Sequence, residues 1–193
     1  MKNIAVICGG QSPEHGISLL SAQSIIQNLP RDKYHPVPIG ITKDGQWVAG
    51  DPFFIKDEYL DTIALSPSLK PIEFPLSHVN GVPIDLVFPI IHGRTGEDGC
   101  LQGVLQIGDL PYVGAGLCSS AIAMDKDIAK KLFCQAQLPV AKSITLRLGQ
   151  ERPSYKAITN KLGDILFIKP CNLGSSVGVS KTQSEEGFQV GLD

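Results

Sequence analysis

Residues 2–16 read KNIAVICGGQSPEHG. Lys2 to Cys8 is a short apolar run with β-branched residues, ended by Gly9–Gly10. That pattern predicts a buried parallel strand followed by a tight turn. After Ser12–Pro13, apolar residues fall at Ile17, Leu20, Ile25, Ile26 and Leu29, which is helical spacing, and Pro30 closes the run. The glycines let the backbone turn sharply and let a ligand come close. In an open α/β sheet this turn lies at the carboxyl end of a strand, where ligands bind. It is not a P-loop, because the Gly-Lys-Ser/Thr ending is absent, and it is not Gly-x-Gly-x-x-Gly. Glu14 is placed there to pair with a ligand ammonium. The alternative is an acid that only favours a helix N-terminus.

Working outward, Tyr34 to Thr42 reads as a second strand, and Gln46 to Ala49 as a short one after the Lys43–Asp44–Gly45 turn. Residues 50–83 are rich in Pro, Ser and Asp without a clear period and read as loops and short pieces. Asp85 to Ile91 is a buried strand, His92 to Gly99 a polar loop, and Cys100 to Ile107 a helix. Leu110 to Val113 reads as a short strand, and Met124, Ile128, Leu132, Phe133 and Ala136 repeat at helical spacing. Ser143 to Arg147 and Ile165 to Ile168 read as strands, with a helix starting near Pro153 between them. This order favours an α/β fold with a mostly parallel sheet and a domain boundary near residue 122, giving domains 1–122 and 123–193. Ser184–Glu185–Glu186 looks like a capped, acidic helix start. The sequence stops at Asp193 in mid-helix, leaving about 70 residues for the second domain and an incomplete core, so a truncated chain is expected.

Composition narrows the class. Of the 193 residues 42% are apolar and 19% charged, as in globular proteins. The net charge of -2 argues against nucleic acid or an anionic membrane as partner. No apolar run reaches a membrane span, and the opening run is too short and too quickly interrupted for a signal peptide, so a cytoplasmic protein is expected. The five cysteines, Cys8, Cys100, Cys118, Cys134 and Cys171, are odd in number and form no Cys-x-x-Cys pair. That argues against a disulfide framework or a zinc site.

Two further stretches carry chemistry. His92-Gly93-Arg94-Thr95-Gly96-Glu97-Asp98-Gly99, with Gln102–Gly103 one turn on, follows a buried strand and opens a helix. Its glycines free backbone N–H groups, and a helix N-terminus attracts anions; the alternative is a surface turn with Asp98 as cap. Lys169, at the end of the strand Ile165 to Ile168, begins the Gly/Ser-rich stretch that runs to Val179. A Lys there is costly to desolvate unless an anion pairs it, and the loop offers N–H and hydroxyl groups for phosphates; a Lys can also snorkel to solvent. Gly114-Ala115-Gly116-Leu117-Cys118-Ser119 nearly matches a dinucleotide fingerprint, but Ser119 replaces the last Gly and the acid about 20 residues on is missing, so it reads as a turn before a helix.

GGQSPEHGISLLSA, FPIIHGRTGEDGCLQG, YVGAGLCSSAIAMDKDIAKKLF and FIKPCNLGSSVGVSK, in this order and spacing, closely resemble the D-alanine–D-alanine ligase family over nearly the whole chain. The resemblance implies a Rossmann-like parallel-sheet N-terminal domain followed by the beginning of an ATP-grasp domain. It implies that Glu14 holds the ammonium of the first D-alanine and that His92 lies at the same substrate. Lys126 and Lys169 match the two lysines that contact ATP phosphates, and Ser176 lies in the phosphate-facing turn. Ser175 matches a serine hydrogen-bonded with the acid at Glu14 and a loop tyrosine, which makes Glu14 and Ser175 the catalytic pair. The tyrosine, the adenine-binding strand, an arginine and the ligands of Mg2+ are implied to lie beyond Asp193.

The implied reaction is ATP-dependent joining of two D-alanines through an acyl phosphate, for peptidoglycan precursors, by a cytoplasmic homodimer. The 193 residues alone are implied to be inactive. Two other readings stay open: an ATP-grasp ligase with D-lactate or D-serine as acceptor, and a non-catalytic fragment.

Overall fold

The first strand, β1 (Lys2–Gly9), is buried from Ile4 onward. It pairs in parallel with β2 (Tyr34–Ile41) on one side and β9 (Leu86–Pro89) on the other. The structure, a computed structural model, describes residues 1–51, 53–57, 62–72 and 76–193. Both faces of β1 are covered, which is why its apolar run is continuous rather than alternating. Ala5 and Ile7 join Val87, Leu101 and Leu105 in one cluster, under α2 (Cys100–Ile107). Ile4, Val6 and Cys8 join Leu19 and Ala22 of α1 (His15–Asn28) in the other. Burial pushes the Cys8 thiol up to about 12, so it behaves as a small apolar side chain. Cutting fully buried Ile7 back to Ala would cost about 2–5 kcal/mol.

Pro36 and Pro38 sit inside β2 although proline cannot donate to a ladder. They are two apart, so their missing donors share one edge. That edge faces away from β1, and β3 (Trp47–Ala49) reaches only Gly40 and Ile41 of β2. The turn Lys43–Asp44–Gly45, with Gly45 at φ 91°, returns the chain antiparallel. A turn this tight allows no parallel crossover. β6 (Lys70–Pro71) adds a second antiparallel pair, giving the order β6-β3-β2-β1-β9. The sheet is therefore parallel through β2-β1-β9 and antiparallel at its β3 and β6 edge.

Within the stretch read as loops, residues 52, 58–61 and 73–75 lie outside the described residues. The rest holds two antiparallel pairs, β4 (Phe54–Asp57) with β5 (Thr62–Leu65), and β7 (His78–Val79) with β8 (Val82–Pro83). Asn80 and Gly81, both at positive φ, make the turn of the second pair, as Asn-Gly does in type I′ hairpins.

Leu110 to Val113 forms no full strand. Tyr112 makes a single parallel bridge to Val87, because Pro111 has no donor and Gly114 turns away at φ 119°.

The chain folds as two units, Met1–Ala121 and Ile122–Asp193. α3 (Leu117–Met124) and α4 (Lys126–Gln135) are separate helices, because Asp125 is extended and its Oδ1 caps the Asp127 and Ile128 amides. In the second unit α5 (Tyr155–Leu162), the antiparallel pair β10 (Leu166–Ile168) and β11 (Ser180–Thr182), and α6 (Glu185–Leu192) enclose a small core of Ile158, Leu166 and Phe188. Ser184 caps α6 through the Gly187 amide, with Glu185 and Glu186 in the first turn.

Ser143 to Arg147 forms no strand. Its polar members bond a helix instead. Asp127 of α4 accepts from Lys131, Thr145 and Arg147, each at 2.8 Å. The Lys131 ammonium and then the Thr145 hydroxyl hold the Asp127 carboxyl below its ordinary range against the opposing effect of burial.

Candidate active site

The chain leaves β1 through α1 to β2 on one side, while β9 lies on the other side of β1. The carboxyl ends of β1 and β9 therefore form a topological switch point, where open α/β sheets bind ligands. The loops that follow, 10–14 and 90–99, adjoin there. Gly9 at φ 90° donates from its amide to Ser18 Oγ at 2.8 Å, and Ser18 Oγ donates to the Ile90 carbonyl at 2.5 Å. A Cβ at Gly9 would overlap the Ile41 carbonyl oxygen, so this turn requires glycine. The His15 ring is buried with Nδ1 2.8 Å from the Gly10 carbonyl, as a satisfied core histidine.

Glu14 occupies the N-cap position of α1, yet its side chain makes no capping bond. Its carboxylate lies against the other loop: a Cβ built on Gly93, at φ 73°, would stand 2.6 Å from Glu14 Oε2. The next residue back, His92, is half-buried. Its Nε2 lies 3.4 Å from Ser21 Oγ and its Nδ1 3.9 Å from Glu97 Oε1. Glu97 Oε2 accepts the Gly93 amide at 3.0 Å. Glu14 and His92 are thus brought to one place in the first unit.

Asp98 accepts from the amides of Thr95 and Cys100, at 2.9 and 3.1 Å. Burial alone would raise its carboxyl, but those amide bonds outweigh it and hold it below the usual range. Asp98 thus builds the turn before α2, while the N-cap position itself is Gly99 and not Asp98. Buried Gln102 donates to the Gly96 carbonyl at 2.8 Å and braces the same loop.

Sequence reading passed over Ser18 and Ser21. A signal exists: counting from Glu14 they stand at i+4 and i+7, one polar stripe along the helix.

Lys126, Lys169, Ser175 and Ser176 lie in the second unit. Lys126 opens α4, and its amide and ammonium turn to the loop after β10. Nζ donates to the Leu173 carbonyl at 2.5 Å and to that of Cys171 at 3.4 Å. An ammonium has three protons, which leaves one for an anion. With its amide nitrogen facing Asp125, Asn172 donates to Oδ2 at 3.0 Å, tying the same loop to the α4 cap.

Lys169 is exposed, with Nζ 5.7 Å from the centre of the Phe167 ring. The desolvation argument for an anion at Lys169 therefore does not hold; its ammonium stays in water and over an aromatic face. Ser175 and Ser176, at φ 47° and 60°, are the central residues of a turn closed by Val177 N to Gly174 O at 3.0 Å. These angles describe a type I′ turn made of serines where Gly or Asn is usual.

Two lysines, two serines and a strained turn are a donor set that suits the phosphates of a nucleotide. Among the described residues no group of three or more His, Cys, Asp and Glu could hold a metal ion. No helix among them is long and apolar enough to cross a membrane.

The family model described as "D-ala D-ala ligase N-terminus" matches residues 3–115, and "D-ala D-ala ligase C-terminus" matches residues 132–193. A D-alanine–D-alanine ligase of Proteus mirabilis is 46% identical over 203 residues, which is 98% of this chain and 56% of the relative. One of Thermoanaerobacter sp. is 45% identical over 197 residues, 96% of this chain and 55% of the relative. Among solved structures, the D-alanine-D-alanine ligase from Coxiella burnetii has a TM-score of 0.86 at 35% identity, covering 100% of this chain and 59% of that one. The VanG D-Ala:D-Ser ligase from Enterococcus faecalis has a TM-score of 0.77 at 33% identity, covering 99% and 58%. The chain spans about half the length of the curated relatives it matches. With the N-terminal family model alone taking in more than half of its residues, the chain belongs to the D-alanine–D-alanine ligase family.

Proposed function

We propose that this chain supplies the first-substrate side and part of the phosphate side of an ATP-dependent ligase that joins two D-alanines through an acyl phosphate for peptidoglycan precursors. The observation that carries this reading is the Glu14 carboxylate resting on Gly93, beside His92, at the switch point of the first unit. An ammonium placed there meets the opposite charge of the Glu14 carboxylate. His92 is oriented by Ser21 and Glu97 to face the same substrate. In the second unit Lys126, Lys169, Ser175 and Ser176 hold the phosphates, and Ser175, like Glu14 in the first unit, has a catalytic role. ATP supplies the phosphoryl group that makes a carboxylate, a poor electrophile, open to attack by an amine. The lysines offset the charge of that transfer. Magnesium belongs to the same reading, with its ligands outside the described residues. The enzyme works in the cytoplasm as a homodimer.

The test is ADP release by the natural-length protein with ATP, magnesium and D-alanine, with the product identified by mass spectrometry. D-alanine-dependent release with D-alanyl-D-alanine as product is expected. A product containing D-serine or D-lactate, formed in preference from a mixture, moves the assignment to the other acceptor. ADP release indifferent to D-alanine rejects it.

A further inference from the structure

We propose that Ser12 is a positioning residue whose hydroxyl sets the spacing between Glu14 and His92; this rests on the reading of that pair as the site of the first D-alanine. One hydroxyl can donate one hydrogen bond and accept others. Ser12 Oγ does both across the two loops: it donates to the His92 carbonyl at 3.1 Å and accepts the Glu14 amide at 3.2 Å. A single atom thus ties together the main chain at the two residues that face the substrate. Pro13 restricts the backbone of Ser12, as a proline does for the residue before it, and the two bonds hold the hydroxyl.

The side chains beyond this crossing are fixed separately. The Glu14 carboxylate lies on Gly93, and the His92 ring lies between Ser21 and Glu97. Ser12 is partly buried and both its partners are backbone atoms. Water can replace its bonds when it is cut back, so the fold should survive while the spacing between the loops loosens. Misplacement of about 1 Å in such a constellation costs on the order of 100-fold in rate or binding. The competing role is local: Ser12 as a turn residue that only supports the start of α1. That role would lower the melting temperature and leave no mark on one substrate in particular.

The experiment uses the natural-length protein with Ser12→Ala and Ser12→Thr, reading KM for D-alanine, KM for ATP, kcat and melting temperature. Ser12→Ala should raise the D-alanine KM about 10- to 100-fold and leave the ATP KM and the melt unchanged. Ser12→Thr, which keeps the hydroxyl, should recover most of that loss. In a Glu14→Gln background Ser12→Ala should add much less than it does alone, since both act on one ammonium site. An unchanged D-alanine KM in Ser12→Ala overturns the proposal. So does a lowered melt with both KM values moving together, and so does full additivity with Glu14→Gln. If the unsubstituted protein shows no D-alanine-dependent ADP release, the functional reading fails and the proposal falls with it. That outcome is visible before any variant is made.

Discussion

In the first unit Glu14 and His92 stand on loops tied to each other and to the sheet by Ser12, Ser18, Ser21 and Glu97, over a core built on both faces of β1. In the second unit Lys169 is exposed, Ser175 and Ser176 hold a left-handed turn, and the buried core is Ile158, Leu166 and Phe188. The first arrangement is preorganised: its polar groups are braced before any ligand arrives, so little ordering remains to be done on binding. The second uses its donors on its own backbone, with Lys126 bound to two carbonyls of the loop it would share with a phosphate. Substitutions of Ser12, Glu14 and His92 in the first unit should therefore act on substrate affinity more than on the fold. In the second unit affinity and local stability should be linked.

The largest effect is expected at Glu14. Glu14→Gln keeps shape and hydrogen bonding and removes the charge. Loss of the ion pair with a D-alanine ammonium should cost about 2–5 kcal/mol in apparent D-alanine affinity. Because glutamine keeps the shape and hydrogen bonding of the side chain, the melting temperature and the ATP KM should hardly move. Steady-state kinetics at varied D-alanine with a melt on the same preparation decides it. Unchanged D-alanine kinetics with a lowered melt would make Glu14 a helix-end residue and break the comparison at its first term.

Next comes Lys169. Lys169→Ala should weaken ATP binding by about 1.5–3 kcal/mol, the range for a charge-assisted hydrogen bond. Its contact with the exposed Phe167 ring is worth only about 0.5–1 kcal/mol, so the stability change should be the smaller of the two. Saturation curves for ATP and D-alanine on one preparation separate them. An ATP KM and kcat equal to those of the unsubstituted protein would show that Lys169 is a surface lysine.

What the sequence disclosed follows from what each segment packs against. β1, β9 and α2 are legible because their apolar residues meet a sheet or helix with the matching period, as Ala5 and Ile7 do on one face and Val6 and Cys8 on the other; α1 is a helix as its spacing predicts, but it turns Ser18, Leu19 and Ala22 inward and leaves Ile17 and Leu20 exposed. The hairpin at Asn80–Gly81 lies in the stretch read as loops, because two-residue strands on either side show no period. Ser143 to Arg147 alternates like a strand, yet Thr145 and Arg147 are held by the Asp127 carboxylate, a tertiary partner that no local pattern reveals. The motif loops could be located from their glycines. The serine bonds that join them could not, because Ser12 and His92 are 80 residues apart in sequence.

The smallest effect, and the one that tests the coupling expected of the second unit, is at Ser176. A non-glycine residue in the left-handed region costs about 1–2 kcal/mol, and glycine pays about 0.5–1 kcal/mol in extra unfolded-state freedom. Ser176→Gly should therefore gain on the order of 0.5 kcal/mol locally, from the difference of those two terms. The gain should appear as slower hydrogen exchange at the Val177 and Val179 amides, whose bonds to the Gly174 and Ser176 carbonyls close this turn. The same substitution removes a hydroxyl from the proposed phosphate site, so the ATP KM should rise by a few fold while the D-alanine KM stays fixed. Stability up and nucleotide affinity down in one variant is the trade expected where a strained loop residue serves a ligand. Slower exchange with an unchanged ATP KM would leave the turn strained for a reason other than phosphate. Faster exchange would mean that the Ser176 hydroxyl supports the turn more than its backbone angle strains it, and the contrast between the two units would then rest on Lys126 and Lys169 alone.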